Sequence, residues 1–98
     1  MDEATTRDHV ERHGEAIVRG DMDAVTADFS EELRPQVPKI AQSLPAPVVA
    51  AEVLGVEVGE SESVATIRYS GDSDEVTVRS RWQDIGGRPR IVHVEPVG

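Results

Sequence analysis

Glu15-Ala16-Ile17-Val18-Arg19-Gly20-Asp21-Met22-Asp23-Ala24-Val25, followed by Asp28-Phe29, is the stretch whose reading decides the fold. A helix-like segment stops at Gly20, a residue that accepts the left-handed backbone at a helix end. Asp21 follows at once, and an aspartate there caps a new helix by accepting a hydrogen bond from its first turn. The stretch therefore predicts two helices joined without a linker.

Upstream, residues 4–19 form the first predicted helix. Val10, His13 or Gly14, and Ile17 with Val18 recur at helical spacing, while Asp8, Glu11, Arg12, Glu15 and Arg19 supply a wet face. Asp2 and Glu3 suit the positive end of that helix. Downstream, Met22, Val25 and Phe29 fall three and four apart, so the short second helix, ending near Asp28, covers a common apolar area. Ser30 is placed to cap the next turn. Pro35 fits a helix start because its missing N–H costs nothing there. Val37, Ile40, Ala41 and Leu44 then occupy i, i+3, i+4 and i+7, which predicts a third helix over 35–44. Pro45-Ala46-Pro47 is a stiff exit from it.

The remaining half reads as four strands, 48–58, 62–70, 75–84 and 89–95. They are separated by Gly59-Glu60-Ser61, Gly71-Asp72-Ser73-Asp74 and Gly86-Gly87. Ala65, Ile67 and Tyr69 share one face of the second strand. Val76, Val78, Ser80 and Trp82 share one face of the third, opposite Thr77, Arg79, Arg81 and Gln83. In the last strand, simple alternation sets Ile91, His93 and Glu95 against Val92 and Val94. Short connections favour an antiparallel meander, and its apolar face needs the helices as a second layer. The expected architecture is one α+β domain over residues 1–98, with N-terminal helices packed on a curved four-stranded antiparallel sheet.

Bulk composition narrows the function classes. The 98 residues carry 19 acidic and 10 basic side chains, a formal charge of −9, and residues 1–45 and 46–98 are both acidic. That balance argues against nucleic acid or an anionic membrane surface as partner. Cysteine is absent, which removes a disulfide framework, a thiol nucleophile and a cysteine zinc site. No segment approaches the roughly 18 apolar residues of a membrane helix, and the sequence reads as a cytoplasmic protein. Aromatic residues are limited to Phe29, Tyr69 and Trp82, so the core must draw on Val, Ile, Leu and Ala.

With the junction at Gly20-Asp21, Phe29, and the closing run Arg81-Trp82-Gln83-Asp84, Gly86-Gly87-Arg88-Pro89-Arg90-Ile91-Val92-His93-Val94-Glu95, the chain resembles the NTF2-like superfamily. That superfamily includes polyketide-cyclase-like (SnoaL-like) and ketosteroid-isomerase-like domains. The resemblance covers nearly the whole chain through soft motifs, and it implies an α+β roll with a cone-shaped cavity. It also implies a homodimer through the sheet, for which Thr66, Arg68, Thr77, Arg79 and Arg81 offer a polar face. The chain departs from the family in being short: it passes from Phe29 to the third helix without room for a further hairpin. Pro89 stands where relatives often place tryptophan. A shallower cavity, or one closed by a partner, is the expectation.

Tyr69 and Trp82 each present an apolar ring with one donor, which suits a ligand wall as well as a core. His93 is a ligand-binding and general-base candidate because imidazole titrates near the working range. Glu52 interrupts a Val/Ala-rich strand and is the candidate inward carboxylate, although an edge facing water explains it equally. His9 and His13 lie four apart, but Glu11 is two residues after His9, whereas the zinc hydrolase helix needs it directly after. Both histidines are therefore read as solvent-facing or helix-packing, with no metal. Asp21, Asp23 and Asp28 are read as caps or solvated helix surface. Arg79, Arg81, Arg88 and Arg90 are read first as ion-pair donors, then as a seat for an anion. No nucleotide-binding motif occurs and no cofactor is expected. Three readings stay open: binding of a small apolar molecule or a protein partner, a cofactor-independent isomerase or cyclase, and a structural or assembly protein without a ligand. The enzyme would hold a small hydrophobic carbonyl compound, with His93 or Glu52 moving a proton.

Overall fold

The computed structural model describes residues 2–97. Helix α1 spans Glu3–Arg19, α2 Met22–Ala27 and α3 Val37–Gln42; strands β1 to β4 span Ala50–Val58, Ser63–Ser70, Glu75–Ile85 and Arg88–Val97. The strands form one antiparallel meander in the order β1-β2-β3-β4. The helices lie on one face of this curved sheet, as the sequence predicted. Among the described residues no helix is long and apolar enough to cross a membrane.

Each helix boundary follows its local signal. The Asp2 carboxylate accepts from the Thr5 backbone N–H and hydroxyl, each at 2.9 Å. These bonds hold its carboxyl below the usual range. Gly20 closes α1 at φ 75°, a left-handed geometry that a side chain would strain, and the Asp21 carboxylate receives the Ala24 N–H at 3.2 Å. Helix α3 is preceded by a 3-10 turn at Arg34–Gln36, so the predicted 35–44 helix is a composite. Gly14 lets α1 approach the sheet: a Cβ there would lie 3.2 Å from the Cβ of Ala51 on β1.

Ala65, Ile67 and Tyr69 of β2 face the helices, as does Trp82 of β3, and all four are buried. With Val10, Ala16, Val25, Phe29, Val37 and Ile91 they make the core. Backbone bonds tie the segment leaving α2 to β4: Ile91 N–H donates to Asp28 C=O at 2.7 Å, and Ser30 N–H to Ile91 C=O at 2.9 Å. This parallel bridge at Phe29 and Ile91 covers part of the β4 edge.

Two register shifts bend the sheet, one between Val53 and Gly55 of β1 and one where Arg81 and Trp82 meet His93 and Ile91. The second corrects the reading of the last strand. Val92 is an extra residue, so alternation breaks after Ile91. Ile91 points into the core, while His93, which pairs with Arg81, stands exposed on the outer face with Glu95.

Candidate functional site

A small apolar cavity of about 60 Å³ lies between α3 and the core face of the sheet. Val37, Ile40, Ala41 and Leu44, the helical stripe read from sequence, line its upper side; Ile67, Tyr69, Val78, Ser80, Ile91 and Val94 line the sheet side. Ile17, Met22, Val25 and Phe29 close the flank, and His13 completes the wall. At roughly 30 Å³ per water in the liquid, the space holds about two waters' worth of volume.

His13 carries the unexpected chemistry. It is buried, and its Nδ1 lies 2.9 Å from Oδ2 of Asp28, fifteen residues away in sequence. The other carboxylate oxygen of Asp28 accepts from Arg88 Nη2 at 2.7 Å. A carboxylate only accepts, so Nδ1 of a neutral His13 carries the hydrogen and Nε2 the lone pair. The imidazole stands edge-on between two rings, with centroids 5.7 Å from Phe29 and 5.6 Å from Trp82. It is thus fixed by a hydrogen bond on one side and by aromatic packing around it.

Asp28 is positioned by the backbone bridge to Ile91, and Arg88 enters from the start of β4. Arg88 Nε is buried and finds no hydrogen-bond partner among the described residues, so a single amino group makes this guanidinium's contact with Asp28. The reading of Asp28 as a solvated helix residue is therefore corrected: it is buried and holds His13 and Arg88 together. His13 is the helix-packing residue foreseen as one of two options, and it also reaches the cavity.

The predicted site residues divide sharply. Tyr69 is buried and lines the cavity. Burial, and secondarily the negative charge of Asp28, push its phenol well above the ordinary tyrosine range, so it remains a hydrogen-bond donor. Trp82 is fully buried; its Nε1–H donates to Ser80 Oγ at 2.9 Å, and its ring backs His13 rather than the cavity. Glu52 is exposed on edge strand β1 and pairs with Arg68. His93 Nε2 lies 3.9 Å from Glu95 on the outer face. Neither Glu52 nor His93 borders the apolar cavity.

The arginines around the last hairpin are engaged as ion-pair or carbonyl donors. Arg79 meets Glu95 and Arg81 meets Glu62, both at 3.5 Å, and Arg90 donates to Ala27 C=O at 2.9 Å. Sequence reasoning missed the His13–Asp28 pair, although His13 lay on the apolar stripe of α1 and Asp28 directly preceded the apolar Phe29.

No family model and no curated protein matches the sequence. Solved structures similar in shape include two of known source. One is the crystal structure of an NTF-2 like protein of unknown function from Burkholderia xenovorans LB400, with TM-score 0.70 and 16% identity, covering 97% of this chain and 83% of that one. The other is the solution structure of a SEC-C motif containing protein from Rhodopseudomonas palustris, with TM-score 0.62 and 20% identity, covering 86% and 72%. Helices laid on a curved antiparallel meander, together with the first of these likenesses, show that the chain has the NTF2-like fold.

Proposed function

We propose that the protein binds a small, largely apolar molecule between α3 and the sheet. The observation that carries this reading is the apolar cavity whose wall includes the braced imidazole of His13 and the hydroxyl-bearing ring of Tyr69. At about 60 Å³ the cavity is far below the roughly 300 Å³ of an ordinary ligand site, so binding requires α3 to move outward. Helix α3 is suited to that: it has six residues and no side-chain cap hydrogen bond, and it is too short to be stable by its own backbone bonds. Ile40, Ala41 and Leu44 are only partly buried in the closed state.

The second reading is proton transfer on such a molecule, and the His13–Asp28 pair favours it. An imidazole oriented by a carboxylate can take a proton at Nε2 while the carboxylate steadies the charge that forms. In this reading His13 replaces His93 and Glu52 as the proton-moving group on a small carbonyl compound, and Tyr69 donates to the developing oxyanion.

We also propose that two copies pair through the outer sheet face. It carries both signs of charge, on Glu52, Arg68, Arg79 and Glu95, so a two-fold contact can set each sign against the other. Native mass spectrometry of protein purified gently from its host tests both parts. The expected spectrum is a dimer carrying a discrete small-molecule adduct. A monomer sinks the pairing, and a species that takes up no added apolar compound sinks the binding reading.

A further inference from the structure

The polar groups at the cavity wall differ in kind, and their difference restricts what the cavity accepts. Nδ1 of His13 is occupied by Asp28, leaving Nε2 as the ring nitrogen able to accept a hydrogen bond. Tyr69 contributes a hydroxyl whose hydrogen is retained. Ser80, the other hydroxyl of the lining, is already engaged: it accepts from Trp82 Nε1 and lies 3.5 Å from the Ala65 carbonyl oxygen. The remaining lining is hydrocarbon, apart from the Met22 thioether. Asp28 lies behind His13 without lining the cavity, its charge paired with Arg88 through its other oxygen.

We infer that the cavity selects a neutral alcohol with an apolar body: its oxygen accepts from Tyr69, its hydrogen goes to His13 Nε2, and a carboxylate of the same shape is refused. This rests on the binding reading above and adds the chemical class. One hydroxyl satisfies both wall groups, whereas a hydrocarbon leaves them without partners in an apolar space. A carboxylate lacks the hydrogen that Nε2 needs and must give up its own hydration on entering a hydrocarbon-lined space.

A matched series tests the assignment: methylcyclohexane, cyclohexanol and cyclohexanecarboxylate, titrated at neutral pH into the intact isotope-labelled chain and followed by amide chemical shifts. Cyclohexanol is expected to shift residues around Val78, Ile91 and Val94 saturably. It should bind about tenfold more tightly than methylcyclohexane, the scale of one good net hydrogen bond. The carboxylate should bind more weakly than both. In Tyr69→Phe, which keeps the ring, cyclohexanol should fall toward the hydrocarbon while methylcyclohexane is unchanged or improved.

Equal binding of hydrocarbon and alcohol, or tighter binding of the carboxylate, overturns the selection while leaving apolar binding intact. Saturable shifts confined to residues away from the cavity, or no saturable binding by any of the three, overturn both this inference and the reading it rests on. The wild-type series decides the matter even if the variant fails to fold.

Discussion

The two faces of the sheet carry the same kinds of charged groups in opposite circumstances. On the outer face Glu52 meets Arg68, Arg79 meets Glu95 and Arg81 meets Glu62, with side chains about half exposed. On the helix side Asp28 meets His13 and Arg88, and the Asp28 and His13 side chains are only 12% and 5% exposed. Exposed pairs exchange water for a partner at little net gain, and salt screens them. The buried cluster has lost most of its water, so each member depends on the others. Charge therefore tunes the surface on one face and holds a cavity wall in place on the other.

Removing the centre of the buried cluster should give the largest effect. Asp28→Ala leaves His13 and Arg88 without their shared acceptor and should cost about 2–3 kcal/mol, toward the low end for a broken buried pair because Arg88 is partly exposed. Urea unfolding monitored by Trp82 fluorescence would show it. A loss no greater than that of an outer-face substitution would mean the two faces are energetically alike.

Alkaline pH probes the cavity side next. The fold raises the Tyr69 pKa above the ordinary tyrosine value of 10.0, chiefly by burial and then through Asp28. The native state thus holds this proton more tightly than the unfolded chain. Its contribution is complete below about pH 10 and is lost as pH rises from there toward the folded value. Melting temperatures measured from about pH 9 to about pH 11 should fall more steeply for the wild type than for Tyr69→Phe. Parallel curves would show that the phenol is not protected.

The smallest effect belongs to the outer face. Arg79→Ala should change stability by less than about 1 kcal/mol and remove some salt dependence. Comparing its melting temperature with wild type at low and high salt checks this. A larger loss appearing only at high protein concentration would sharpen the comparison differently, by placing Arg79 in the proposed contact between copies.

Much of the architecture was written in local signals. Gly20-Asp21, the Pro35 start, the Val37–Leu44 stripe and the turn residues at 59–61, 71–74 and 86–87 act over a few residues, so reading along the chain finds them. The inward set Ala65, Ile67, Tyr69 and Trp82 followed from period-two alternation because β2 pairs regularly with β3. The candidate site was less legible. Tyr69, read as a ligand wall or a core ring, is buried and lines the apolar cavity; Glu52, read as inward or edge-facing, stands exposed on the edge strand, and His93, read as a ligand-binding group, stands on the outer face.

The reason is a difference of range. Helix ends, turns and strand alternation depend on φ, ψ and side-chain shape within one segment, and the sequence by itself determined them. The extra residue at Val92 is decided by how β4 meets β3 while the Phe29 segment bonds to Ile91, and nothing in residues 89–95 alone announces it. The His13–Asp28–Arg88 cluster likewise joins α1, the end of α2 and the start of β4. Only packing those elements together brings the groups within hydrogen-bond distance and withdraws the water that would otherwise keep them apart.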